Sequence, residues 1–152
     1  MASAFLTACG SSPSTSALAQ GAPTLGFPSP TPKFDPASGA RGWGTIRPSA
    51  ISNGGPFVGL TNIAWSTWGG AKAEGRGRGI YIPPGGSIVN EVSAPVVVVA
   101  FKLGTCDNHR VYTAVEWYYP SKGQAFNPKT FESWCNGLLH PIPYPFSSLP
   151  SR

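Results

Sequence analysis

The stretch AKAEGRGRGIYI, residues 71–82, alternates so strictly that it decides how the chain folds. Charged side chains occupy every second position, at Lys72, Glu74, Arg76 and Arg78, and small residues occupy the positions between them. Because successive side chains of a strand point to opposite faces, this period of two predicts a β-strand. Glycine weakens a strand unless another group lies close over its backbone. We therefore expect aromatic rings of the core to cover the glycine face.

The segments around this strand also have β character. PFVGLTNIAWSTW (56–68) is rich in β-forming residues, and PVVVVAFKLG (95–104) is an apolar run typical of a central strand. HRVYTAVEWYY (109–119) alternates, and the TCDN before it has the length and the Asp-Asn chemistry of a hairpin loop. WGTIRP (43–48) is expected to form a short first strand. NPKTFESWC (127–135) begins with Asn and Pro, which favours a short helix or 3₁₀ turn.

Composition agrees with this fold class. The chain has 152 residues, of which 11% are charged, together with 19 glycines and 17 prolines. Globular chains average roughly 25% charged residues. The 5 tryptophans, 5 tyrosines and 8 phenylalanines are enough to build a core. We expect an all-β domain over residues 41–140, a small antiparallel β-sandwich or a barrel-like fold with one disulfide.

The two ends of the chain differ from this domain in composition. Residues 10–40 are rich in Ser, Pro, Gly and Ala, which bury too little apolar surface to offset the entropy of ordering. We expect a flexible tether there, with docking of Leu25, Phe27 or Phe34 onto the domain as the alternative. Proline recurs through residues 141–152, so this tail is expected to be either polyproline-like or disordered.

Two of the three cysteines, Cys106 and Cys135, fall inside the expected domain. A disulfide between them would close a loop of about 30 residues and stabilise the fold by about 3.6 kcal/mol on the chain-entropy model. A zinc site would need more ligands, and the chain has no CxxC pair to supply them. We expect a disulfide, which indicates an oxidising compartment, and no metal.

The third cysteine, Cys9, ends the run LTAC and is followed by Gly-Ser-Ser. This pattern resembles the bacterial lipobox, in which the cysteine is diacylated and becomes the mature N-terminus. Residues 1–9 are then the remnant of a lipoprotein-type signal, and residues 10–40 are the tether. A signal peptide needs a basic region and 7–15 apolar residues, so this interpretation requires leader residues upstream of Met1. A chance cysteine in a disordered leader is the alternative.

A family resemblance rests on three segments, TNIAWSTWGGAKAEGRGRG (61–79), VVVVAFKLGTC (96–106) and VYTAVEWYYP (111–120). Together they resemble small secreted proteins of actinobacteria with a W-S-x-W-G-G segment followed by alternating Ala and Gly. The likeness covers roughly residues 57–135. It implies a secreted β-domain with one disulfide, and it carries over no catalytic residue.

Few residues offer catalytic chemistry. The chain lacks a GxSxG motif, and His109 lies within the expected disulfide loop, where a surface role is the simpler interpretation. Glycosidases use two carboxylates across a cleft, and Glu74 and Glu116 could meet on neighbouring strands. Their expected place on exposed strand faces favours ion pairing with Lys72 or Arg76 instead. Glu74, Glu116 and His109 are the first residues to test for hydrolysis, and no cofactor is expected.

Binding chemistry has more support. Trp65, Trp68, Trp117 and Tyr119 could stack on sugars, although core packing is the simpler role for such rings. Trp65 and Trp68 are three residues apart and are expected on opposite faces of one strand. The net charge of +5 permits binding to anionic surfaces, although a solubilising surface is the simpler explanation. The GRGRG segment resembles RNA-binding repeats, but its place in an alternating strand argues against nucleic acid.

We therefore expect an exported, non-enzymatic, monomeric β-domain that is tethered to the membrane only through a lipid on Cys9. Its partner would be an unknown envelope protein or carbohydrate. The alternatives are a small secreted hydrolase acting on carbohydrate and a sugar-binding module.

Overall fold

The computed structural model describes residues 21–26, 40–53, 59–135 and 138–140, and this part of the chain is all-β. Two short 3₁₀ helices, Ile88–Asn90 and Pro120–Lys122, interrupt the strands. The all-β prediction is confirmed. The strands are β1 (Thr24–Leu25), β2 (Ala40–Arg41), β3 (Ile51–Asn53), β4 (Gly59–Trp65), β5 (Ala73–Tyr81), β6 (Val92–Cys106), β7 (His109–Tyr118), β8 (Ser133–Cys135) and β9 (Leu138–His140).

Seven of these strands form one curled sheet in the order β1-β7-β6-β5-β4-β3-β2. All neighbours are antiparallel except β1, which runs parallel to β7. The free side of β1 contacts the connection between β2 and β3. There the Gly44 amide donates to the Leu25 carbonyl (2.7 Å) and the Leu25 amide donates to the Thr45 carbonyl (2.9 Å). These bonds join the two ends of the sheet, which makes the domain barrel-like.

Strand β5 matches the prediction from its alternation. Its glycines face the inside of the barrel, and a Cβ atom on Gly75 would lie 3.0 Å from the Trp65 ring. A Cβ atom on Gly79 would lie 2.6 Å from the Tyr119 hydroxyl. Aromatic rings therefore cover the glycine face, as the sequence indicates, and only residues without a side chain fit beneath them.

Strand β6 is buried on both faces. Ala94, Val96, Val98 and Ala100 point into the barrel core, together with residues from the other strands. The alternate residues face outward into a second cluster, which residues 120–132 cover with two phenylalanine rings. This outer cluster comprises Val97, Val99, Phe101, Ala114, Tyr118, Phe126 and Phe131. Burial on both faces explains why the segment is a continuous apolar run rather than an alternating one.

The β6–β7 hairpin turns on Asp107 and Asn108, both with positive φ (49° and 62°). Cys106 is the last residue of β6, so the loop is shorter than the expected TCDN. A disulfide joins Cys106 to Cys135 of β8, with their Cα atoms 5.6 Å apart. The predicted pairing is confirmed, and it ties the covering segment to the hairpin.

The structure corrects three local predictions. Residues 43–48, predicted to form a short first strand, form turns and bends, because their backbone groups hydrogen-bond to β1 instead of joining the sheet ladder. In residues 127–135 the predicted Asn cap and turn are present, since the Asn127 side chain accepts from the Lys129 amide and its carbonyl accepts from the Thr130 amide. They form one turn and no helix, and the segment then becomes β8. Residues 23–26, placed in the tether by composition, belong to the domain because Leu25 is fully buried. The alternative, docking onto the domain, is confirmed for Leu25.

Other expectations fall outside the described residues. These are the signal remnant with Cys9, the tether through residue 20 and from 27 to 39, and the tail at 141–152.

The contact between β5 and β4 yields a stability prediction. A Cβ atom on Gly77 would lie 2.7 Å from the Thr61 carbonyl oxygen, which belongs to the rigid backbone of the adjacent strand. We expect Gly77→Ala to lower the free energy of unfolding by about 1–2 kcal/mol, since overpacking exceeds the entropic gain. Urea unfolding measures the loss. The matched control is Gly59→Ala, whose Cβ would meet nothing within 4 Å. Equal stability of the two variants would contradict this account.

Candidate functional site

The tryptophans expected to bind ligand form an aromatic cluster at one end of the barrel. The rings of Trp65 and Trp68 meet edge to face with centroids 4.6 Å apart, and Trp68 meets Tyr112 in the same way at 5.2 Å. Both tryptophans are half-buried and pack against the inner core. The prediction that they face opposite sides is wrong, because β4 ends at Trp65 and Trp68 lies in the loop that folds back.

The polar atoms of this cluster bind backbone within the domain. Trp65 Nε1 donates to the Pro48 carbonyl (2.8 Å), and Trp68 Nε1 donates to the Pro23 carbonyl (2.9 Å). The fully buried Tyr112 hydroxyl donates to the Gly70 carbonyl and accepts from the Gly69 amide, each at 2.8 Å. Burial raises the pKa of Tyr112, against the opposing effects of that amide and of Arg110. The cluster thus binds the start of the domain to the β4–β5 loop.

The remaining two rings of the expected binding set lie elsewhere in the core. Tyr119 is buried, and its hydroxyl donates to the Ile80 carbonyl at 2.6 Å. Trp117 is half-buried against the inner core cluster. Sugar binding by these rings stays a prediction, for which Trp65, Trp68 and Trp117 retain partly exposed surface.

The two glutamates singled out from the sequence lie in one row across the sheet. Glu74 of β5 and Glu116 of β7 both pair with Val99 of β6, on opposite sides of it. Their backbones are therefore two strand spacings apart, roughly 10 Å. Glu74 is exposed, and its carboxylate lies 3.9 Å from the Arg76 guanidinium, one of the two expected partners. The two carboxylates flank β6 without meeting on adjacent strands.

Glu116 is only 4% exposed, so the prediction that it lies on an open strand face is wrong. Its carboxylate accepts from the Asn127 amide (3.0 and 2.8 Å) and from the Thr130 hydroxyl (2.9 Å). Burial raises the pKa of Glu116, and these two hydrogen bonds oppose the rise. The carboxylate therefore fastens the covering segment to β7.

His109 lies far from either glutamate along the sheet. It pairs with Cys106 beside the hairpin turn, and its side chain is exposed. Glu116 is seven positions further along β7, which corresponds to roughly 24 Å of extended strand. His109, Glu74 and Glu116 therefore do not converge on one reaction centre.

A group of exposed cations on the outer face of the sheet was not singled out as a site from the sequence. The Lys72 ammonium lies 4.3 Å from the Phe126 ring centroid, and that of Lys102 lies 3.6 Å from the Phe131 ring centroid. The two rings pack on Phe101 beneath them. The strict alternation of residues 71–82 places Lys72 on the charged face of the sheet, but no local sequence pattern predicts that it contacts the Phe126 ring.

The described residues contain no cluster of three metal-ligating side chains. Within the same residues, no helix has the length and apolar character needed to cross a bilayer. No family model, no curated protein and no solved structure matches the chain.

The burial of Glu116 predicts a pH dependence of stability. Because its pKa is raised in the folded state, its stabilising contribution is complete below the ordinary glutamate pKa. That contribution is lost as the pH rises through the raised value. As the pH rises through this window, we expect the wild type to lose free energy of unfolding relative to Glu116→Gln, whose side chain at this position does not titrate. Urea unfolding from pH 3.5 to pH 7.5 measures it.

The control for removing one carboxylate is Glu74→Gln, at an exposed position on the same row. The raised pKa of Glu116 would be contradicted if the difference in free energy of unfolding between the wild type and Glu116→Gln stayed constant with pH. A wild type that gains stability relative to the variant as the pH rises would contradict it too.

Proposed function

We propose that this protein is an exported domain, anchored to the outer face of the membrane through Cys9, that binds a partner or ligand of the cell envelope without catalysing a reaction. The observation that carries the proposal is the disulfide between Cys106 and Cys135. Disulfides persist in oxidising compartments and are rare in the cytosol.

The position of the disulfide supports a structural role for it. Cys106 is buried, and the bridge joins the β6–β7 hairpin to β8, next to the segment that covers the outer cluster. A redox-active cysteine would be accessible and reactive. A bridge that joins a buried cysteine to a half-buried one across two parts of the fold instead suits a domain that works outside the reducing cytosol.

The fate of the carboxylates favours binding over hydrolysis. A glycosidase needs both carboxylates at the substrate, whereas Glu116 is buried and engaged by Asn127 and Thr130. Glu74 is exposed but lies on the other side of β6. A carbohydrate-directed hydrolase is the alternative, and it requires the covering segment to leave Glu116.

The anchoring half of the proposal is tested in the native host with the complete leader. We expect Cys9→Ala to move the protein from the membrane fraction to the medium, because diacylation gives stable anchoring and its loss removes the only membrane attachment proposed. Ser11→Ala, two residues away, is the control and should stay in the membrane fraction. Unchanged fractionation of Cys9→Ala would exclude the lipid anchor.

The binding half is tested with purified, oxidised protein. We expect the full chain to sediment with isolated cell envelopes of the native host and to stay in solution when no envelopes are added. A broad panel of glycosidase and esterase substrates should show no turnover. Failure to sediment with envelopes would contradict binding, and turnover abolished by Glu116→Gln would establish the hydrolase instead.

A further inference from the structure

The surface of the domain is more basic than its composition indicates. Two acidic side chains of the described residues, Glu116 and Glu132, are buried. The acidic side chains left at the surface of these residues are Glu74, Glu91 and Asp107. The charged side chains that an external ligand can contact directly are therefore mostly cations.

Several of these cations lie in a line on the outer face of the sheet, which we call the basic ridge. Its members are Lys72, which directly precedes β5, Arg76 and Arg78 of β5, and Lys102 of the adjacent β6. All four are exposed, and the Arg76 side chain is 77% exposed. Alternate residues of a strand are about 7 Å apart, so the ridge extends for roughly 20 Å from Lys72 to Arg78.

Contacts within the domain fix most of the ridge in place. The Arg78 guanidinium donates to the Ser93 hydroxyl and to the Ser93 carbonyl, each at 3.0 Å. Phe126 and Phe131 support the ammonium groups of Lys72 and Lys102. Side chains that are already ordered lose less entropy when a ligand binds them. The ridge is therefore better prepared for an anion than four freely moving surface cations.

The strand on the other side of β5 leaves space beside the ridge. Thr61 pairs with Arg78 and Ala64 pairs with Arg76, and both of these β4 residues are short and exposed. A linear polymer can lie along this shallow surface and present one charge after another to the cations.

We propose that the basic ridge binds a linear anionic polysaccharide whose repeating units carry carboxylate or phosphate groups. The inference rests on the proposed function, since it names the chemical class of the envelope ligand. Glu74 interrupts the ridge and weakens binding, because its carboxylate repels the polymer and competes for Arg76.

Two other anionic partners fit less well. Proteins that bind single-stranded nucleic acid place aromatic rings among the cations as stacking platforms. Here the nearest rings, Phe126 and Phe131, are already engaged by the ammonium groups of Lys72 and Lys102 and pack on Phe101. The β4 residues beside the ridge are Thr61 and Ala64, which offer no ring. A membrane surface would favour apolar residues interleaved with the cations. The exposed apolar residues Val89 and Val92 lie beyond the Arg78 end of the ridge.

Binding is measured by calorimetry with the full oxidised chain. The probes are polygalacturonate for carboxylate, polyphosphate for phosphate, neutral dextran as the uncharged control, and single-stranded DNA and anionic vesicles for the competing partners. We expect at least one of the first two polymers to bind more tightly than DNA or vesicles at equal charge concentration, and dextran not to bind. Affinity should fall with salt, because binding releases counterions.

The decisive variant is Arg76→Glu/Arg78→Glu. We expect it to bind the preferred polymer roughly ten-fold more weakly or worse, with a salt slope smaller by about two. The matched control is Arg41→Glu/Arg47→Glu, which changes the net charge equally at β2 and the loop after it, away from the ridge. It should keep at least half of the wild-type affinity. Melting curves must match the wild type before comparison.

Two single variants keep the test informative if the double variant does not fold. Arg76→Gln removes one ridge charge whose nearest partner is Glu74, and it should weaken binding. Glu74→Gln should strengthen binding. The proposal that the ridge binds an anionic polysaccharide would be overturned by tighter binding to DNA or vesicles. It would also be overturned if the ridge and control variants lost equal affinity for the polymer. Sedimentation with envelopes that survives Arg76→Glu/Arg78→Glu would overturn it too, while leaving the proposed function standing.

Discussion

The backbone of β5 lies in contact with aromatic rings on one side and carries the charged ridge on the other, and the barrel is arranged around this strand. Trp65 and Tyr119 approach Gly75 and Gly79 more closely than any side chain at those positions would permit. Tyr119 also binds the backbone of the same strand through its hydroxyl. Removing side chains from one face lets the sheet curl tightly, because a glycine face allows the opposite wall to move inward.

Much of this arrangement could be predicted from local sequence, and the rest depends on contacts between distant residues. The alternation of residues 71–82 fixes both the strand and its two faces, and the Asp-Asn pair locates the hairpin whose strands bring Cys106 toward Cys135. Trp68 and Leu25 were misplaced because their partners are tens of residues away. Period-two reasoning also assumes regular strands, whereas Asn62 (φ 53°) lies at a bulge in β4 that changes which side chains face inward.

The covering segment links the inside of the protein to its proposed binding surface. Glu116 holds the turn after Asn127, and the same segment supplies the rings beneath the lysines of the ridge. A residue read from sequence as a catalytic candidate thus acts as a support for surface cations. Its burial would have been difficult to foresee, since the residues that enclose it follow it by more than ten positions and form no regular element.

The short strand β1 has a consequence for the order of folding. It is the first strand of the described chain, yet it pairs in parallel with β7, which lies more than eighty residues later. Closing so long a loop is entropically costly and slow, so contacts of this kind form after local hairpins. Strands β4 to β7 can assemble from neighbouring hairpins, but the sheet ends stay open until β7 exists to receive Leu25. The barrel therefore closes last, through the earliest strand in the described sequence.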